Sequence, residues 1–158
     1  MFCVFSRKIL RLPIKGVIMS LAEEYYMKQA YAFEDEEYVD EGKTIFKVLT
    51  NVMDKWAISP DTLAGILHTH PTTIKKWISS ERVPFKKDNM GAQEEVLLTF
   101  LRIDRYLSQM FTNVEDQRTW LNSRHPFLQF VPLEHLKGPL ENIFNLKNYL
   151  NWSVTKGA

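Results

Sequence analysis

Apolar residues recur at the three-and-four spacing of an α-helix along most of the chain, and no segment sustains the two-residue alternation of a strand. The expected fold class is therefore all-α. Ile45, Leu49, Val52, Met53 and Trp56 mark an amphipathic helix over residues 43–56. Ser59 then caps a helix that starts at Pro60, where a missing N–H costs nothing, with Leu63, Ala64 and Leu67 on one face. His68-Thr69-His70 breaks the period. Pro71 restarts it as the first residue of a further helix, whose buried stripe is read as Ile74, Trp77 and Ile78. Glu81 to Gly91 reads as a loop. Residues 92–111 form the longest predicted helix, with Val96, Leu97, Phe100, Ile103, Leu107, Met110 and Phe111 as its stripe. Asn113 caps a helix over 114–123 that carries Trp120 and Leu121; His125-Pro126 ends it, since the residue before proline disfavours the helical region. Pro132 and Pro139 each stand at the first position of another short helix, the last spanning 139–151 with Leu140, Ile143, Phe144, Leu146 and Leu150 turned inward.

Upstream of these elements the pattern is weaker. Ser20 caps an expected helix over 20–33, with Glu23 completing a capping box and Leu21, Tyr25 and Ala32 as its apolar contacts. Residues 1–18 interleave Arg7, Lys8, Arg11 and Lys15 with apolar residues, and lack the ordered basic start and unbroken apolar core of a signal peptide. They read either as a basic arm or as sequence preceding a start at Met19. Glu34-Asp35-Glu36-Glu37, followed by Asp40 and Glu41, reads as a solvated linker, with a mimic of DNA charge or a lid over the basic surface as the other reading. The organisation expected is an N-terminal segment over 1–42, a helical unit over 43–91, and a connecting helix with a small C-terminal domain over 92–158.

Composition narrows the function classes. An apolar content of 45 % over 158 residues suffices for a core, and no apolar run reaches membrane-spanning length. Cys3 stands alone, which excludes an internal disulfide and fits a reducing, cytoplasmic setting. The net charge of +1 is uninformative, but its distribution is not. Residues 19–42 carry eight acids against one lysine, whereas residues 43–87 carry eight basic residues against three acids. An enzyme finds little support: His68-x-His70 is the one close histidine pair, without a cysteine or carboxylate at ligand spacing, and is explained by a turn and a helix cap. The six glycines include no phosphate-cradling loop. No metal, cofactor or catalytic residue is expected.

The segment 58–80 resembles the helix-turn-helix of phage-repressor-like DNA-binding proteins. The resemblance makes Ala64 the small residue that lets the helices approach, and Ile74 and Trp77 the packing stripe. Thr72, Thr73, Lys75, Lys76 and Ser79 are left to face DNA, and Arg82, Lys86 and Lys87 follow in the loop that meets the phosphate backbone. With no Arg, Asn or Gln facing outward, base reading is expected to be modest. The turn position four residues after Ala64, usually Gly because it needs positive φ, is His68 here.

The tail carries a second resemblance. Trp120, Leu128, Pro132, Leu133, Leu136, Gly138, Ile143 and Leu150 follow the order of the C-terminal toxin-binding domain in the MbcA/ParS/Xre antitoxin family, with Gln129-Phe130 where that family commonly has glycines. Together with the helix-turn-helix the likeness spans roughly residues 45–155. It implies an antitoxin of a type II pair, which neutralises a RES-domain, NAD-consuming toxin and represses its own operon by binding operator DNA. Dimers are common in the family, and a homodimer would set two recognition helices about 34 Å apart. Phe127, Phe130, Tyr149, Trp152 and Lys156 are the toxin-binding residues expected, since balanced charge with aromatics suits a protein-binding surface. A stand-alone repressor without a toxin is the alternative.

Overall fold

Among the described residues of the computed structural model, which are 40–85, 88 and 90–157, the chain forms α-helices and no strand. In order they are α1 (Glu41–Trp56), α2 (Pro60–Ile66), α3 (Pro71–Ser80), α4 (Ala92–Met110), α5 (Val114–Asn122), α6 (Pro132–Leu136) and α7 (Glu141–Lys156). The all-α expectation holds for this region. The expected helix over 20–33, the readings of 1–18 and 34–39, and the candidate residues Lys86 and Lys87 lie outside the described residues.

Local signals set most boundaries. Asp40, read as linker, instead caps α1: its side chain accepts from the Lys43 N–H at 3.2 Å, with Glu41 in the first turn where the helix dipole favours a negative charge. Ser59 caps α2 by accepting from the Thr62 N–H at 3.1 Å, and Asn113 caps α5 by accepting from the Glu115 N–H at 2.9 Å. Pro60, Pro71 and Pro132 all stand in the first turn of their helices. Pro139 does not. It lies in the turn that enters α7, where its carbonyl accepts from the Asn142 N–H at 2.9 Å. The helix begins at Glu141 and runs past Asn151 to Lys156, because Ser153 and Val154 stay partly covered.

The first three helices end alike. Ala57, His68 and Glu81 have φ of 55°, 51° and 51°, and the residue after each reaches back to a carbonyl five positions earlier. The bonds are Ile58 to Met53 at 3.0 Å, Thr69 to Ala64 at 3.0 Å and Arg82 to Trp77 at 3.1 Å. This is the Schellman ending, built three times without glycine. A left-handed residue bearing a Cβ costs about 1–2 kcal/mol, while glycine there loses about 0.5–1 kcal/mol of chain entropy. His68→Gly is therefore expected to raise stability by about 0.5–1 kcal/mol in chemical denaturation. A loss of stability would mean that the imidazole contributes more than the cap strain costs.

One apolar core joins all of this. It runs from Leu49 in α1, through Leu63, Ala64, Ile66, Leu67, Ile74 and Trp77, to Leu136, Ile143, Leu146 and Leu150. α4 is its axis, packing on both α1 and α7, while α5 packs on α1 and α6, and α6 on α7. Phe100 of α4 is fully buried and meets Trp56 edge-to-face, with centroids 5.0 Å apart. Polar contacts lock the same junction. Lys55 Nζ lies 2.6 Å from Asp104 Oδ1, and Arg118 of α5 donates to the Lys55 and Asp54 carbonyls at 2.7 and 3.1 Å, capping the C-terminal end of α1.

Three stripe residues depart from the periodic reading. Ile78 is 39 % exposed and Met110 is 37 % exposed, and Leu140, expected to turn inward, is 41 % exposed because it precedes α7, which begins at Glu141. After α3 the loop turns back to α1 and buries Val83 (2 % exposed), so the core is closed from that side without Ile78. At the end of α4 the chain leaves the helix at Phe111, φ −128°, and Phe111 rather than Met110 is partly buried.

Gly42 makes the return of that loop possible. Its carbonyl accepts from the Val83 N–H at 3.1 Å, and a Cβ added there would stand 2.4 Å from the Val83 carbonyl oxygen. Glycine within a helix normally costs stability relative to alanine, by about 1 kcal/mol. Here the sign reverses: Gly42→Ala is expected to destabilise by about 1–3 kcal/mol in urea unfolding, because backbone must move. An unchanged midpoint would show that the loop is not held at this distance.

Candidate DNA-binding and aromatic surfaces

The α2–turn–α3 unit buries the residues that a helix-turn-helix needs inside. Leu63, Ala64, Leu67, Ile74 and Trp77 are all at most 6 % exposed. His68, four residues after Ala64, adopts the left-handed conformation that the resemblance calls for at that position. His70 caps α3: its Nδ1 accepts from the Thr72 N–H at 3.3 Å and lies 2.9 Å from the Thr72 hydroxyl. The histidine pair is thus taken up by a turn and a cap.

The outward residues of α3 are not equally available. Lys75 and Lys76 are exposed; Lys75 lies 4.0 Å from Asp61, both side chains about two-thirds in solvent, a weak pair. Thr72 is exposed but engaged with His70. Thr73 is half-buried at the edge of a cleft of about 180 Å³ shared with Trp77, Phe85 and Gln93. Ser79 donates its hydroxyl to the Lys76 carbonyl at 3.0 Å. Arg82 pairs with Asp40 at 2.7 Å, with its side chain half exposed, so its charge is largely compensated and it ties the loop to α1. That pairing joins residues 42 positions apart and is invisible to local pattern. The uncompensated positive charge on the described part of this face therefore rests on Lys75 and Lys76.

The tail residues divide differently. Tyr149 and Trp152, one turn apart on α7, have ring centroids 6.5 Å apart. His125 is the hub: its ring lies 5.9 Å from Tyr149, 6.0 Å from Phe127 and 5.7 Å from Trp120, and Trp120 lies 6.3 Å from Phe111. Its Nδ1 accepts from the Phe127 and Leu128 N–H groups at 3.3 and 3.2 Å, fixing the loop after α5. By local pattern His125 is a helix stop; its central position depends on the loop after α5 coming against Tyr149 of α7, which no local signal carries. Phe127 is 88 % exposed and Trp152 is 58 % exposed. Lys156 is exposed in the last turn of the same helix. Phe130 stands apart from the hub, stacked on His135 with centroids 3.8 Å apart and planes 9° apart. Burial lowers the pKa of His135, favouring the neutral ring in that stack.

Gln129 has φ of 62°, so the second place where a glycine of the resembling family is replaced is also left-handed. No described helix is long and apolar enough to cross a membrane. No family model matches the chain, and no curated protein matches it.

Proposed function

We propose that the chain is the antitoxin of a type II toxin–antitoxin pair, which binds operator DNA through α3 and covers a RES-domain, NAD-consuming toxin with its C-terminal aromatic surface. The observation that carries this reading is the pairing of two surfaces on one core. One is a helix-turn-helix with a left-handed residue four positions after Ala64 and two exposed lysines on α3. The other is the exposed edge of α7, where Trp152 and Tyr149 lead to Lys156. The left-handed Gln129 before Pro132 adds support, since it takes a backbone conformation that glycine favours where the resembling family commonly has glycines.

The electrostatic part is modest. Two exposed lysines, one of them weakly paired, supply a salt-dependent attraction to phosphate, and short side chains supply limited base reading. A dimer on a two-half-site operator would compensate for weak half-site binding. Exposed Trp152 is the kind of rigid aromatic anchor that carries protein–protein affinity.

Co-expression with the product of the adjacent gene tests the reading. The expected result is that the neighbour arrests growth alone, and that this chain restores growth and co-purifies with it. A harmless or non-binding neighbour would overturn the antitoxin reading and leave the stand-alone repressor.

A further inference from the structure

The loop over residues 125–130 is tied together through one residue. The His125 N–H donates to the Phe130 carbonyl at 3.0 Å, and the His125 carbonyl accepts from the Gln129 N–H at 2.8 Å. Between these two bonds, His125 Nδ1 accepts from the Phe127 and Leu128 N–H groups at 3.3 and 3.2 Å. An imidazole accepts at Nδ1 only while that nitrogen carries no proton, so the arrangement requires the neutral ring with its hydrogen on Nε2. The same loop presents Phe127, almost fully exposed, with its ring 6.0 Å from that of His125. We propose that His125 is a proton-sensitive clasp: its neutral ring holds the loop and fixes Phe127, and a proton on Nδ1 releases both.

Histidine is the side chain that ordinarily changes charge between about pH 5 and 8, and His125 is only half-buried, so protons reach it from solvent. Once protonated, Nδ1 is a donor aimed at two donors. Neither N–H has a second acceptor among the described residues, so both bonds are lost together. Two backbone bonds correspond to about a tenfold or larger change in the equilibrium between held and open loop. The charged and titratable groups facing the ring are few. Asp116 of α5 and Arg124 line the groove that His125 shares and are of opposite sign, and Tyr149 of α7 lies 5.9 Å away. The remaining ring neighbours, Trp120 and Phe127, bear no charge.

The far end of the loop is held differently. Phe130 stacks on His135 of α6, which stands next to Glu134, itself paired with Lys137. Burial lowers the pKa of His135, so this stack keeps its neutral ring further into the acid range, and the loop opens from its His125 end. The clasp lies on the face that the antitoxin reading gives to a partner, but it rests on the loop's own bonds. Its test uses the chain alone, so either reading can fail without the other.

Nuclear magnetic resonance of the full chain between pH 7.5 and 5 provides that test. The protection of the Phe127 and Leu128 amides against hydrogen exchange, corrected for the intrinsic pH dependence of exchange, is expected to fall about tenfold or more. The fall should follow the titration of the His125 ring protons, while the buried amides of α4 keep their protection. In His125→Asn the side-chain carbonyl supplies an acceptor that takes no proton in this range, through the turn that Asn forms with the N–H two residues on. This variant is expected to hold the loop equally at both pH values. His125→Phe keeps a ring but no acceptor, and should show at pH 7.5 the weak protection that wild type shows at pH 5. Protection of Phe127 and Leu128 that ignores the His125 titration in wild type, or a pH dependence that persists in His125→Asn, would overturn the proposal.

Discussion

Replacing Lys75 and Lys76 together with glutamate is expected to lower affinity for duplex DNA at least about a hundredfold and to reduce the slope of log affinity against log salt by about two. These lysines are the uncompensated cations on the described part of the α3 face, since Arg82 is held by Asp40 at 2.7 Å. Each lysine lost removes about one counterion released from DNA, and each glutamate gained adds repulsion from the same phosphates. Four units of charge change against the backbone correspond to roughly 3–5 kcal/mol, which dwarfs what short hydroxyl contacts could retain. The fold should be untouched, because both side chains lie in solvent and the Lys75–Asp61 contact at 4.0 Å is weak. Under the proposed function, fluorescence anisotropy with operator DNA over a salt series reads the effect, and co-purification with the proposed toxin should survive. Equal loss of both activities in the folded variant would defeat the assignment of DNA to α3 and toxin to α7. Retention of DNA binding would move the interface elsewhere on the molecule.

Phe100→Ala should cost about 3–5 kcal/mol, a large share of the roughly 5–15 kcal/mol that a domain of this size has available. Phe100 is fully buried at the middle of α4 and meets Trp56 edge-to-face at 5.0 Å, so truncation loses transfer energy, leaves a cavity and removes an aromatic pair. The larger consequence concerns cooperativity. Because α4 packs on both α1 and α7, the α2–turn–α3 unit and the aromatic surface should be lost in one step. Urea unfolding followed by circular dichroism and by tryptophan fluorescence should give coincident curves in wild type and variant. Separate transitions in wild type would show that the two ends of residues 40–157 are stable independently, against a core that runs unbroken from Leu49 to Leu150.

These two surfaces were legible to different degrees. The lysines of α3 could be read from sequence because a helix with known ends fixes which residues share a face. Their isolation could not, because it depends on Arg82 reaching Asp40 across 42 positions. The aromatics of the tail were legible as a set. Their division into a hub around His125 and a separate stack of Phe130 on His135 was not, since it follows from how α5, α6 and α7 meet.

By itself the sequence determined what acts within about one helical turn. Ser59, Asn113 and the prolines at helix starts set boundaries through bonds to their near neighbours, and the three-and-four period named most of the core. The period misled at Ile78, Met110 and Leu140, where exposure is decided by what the chain does beyond the helix end. Tertiary structure alone decided that Asp40 holds Arg82, that Gly42 admits the returning loop, and that Arg118 caps α1 from α5. The reason is physical: caps and periodicity are local free energies that any context preserves, whereas close approach and long-range pairing exist only once distant segments are packed together.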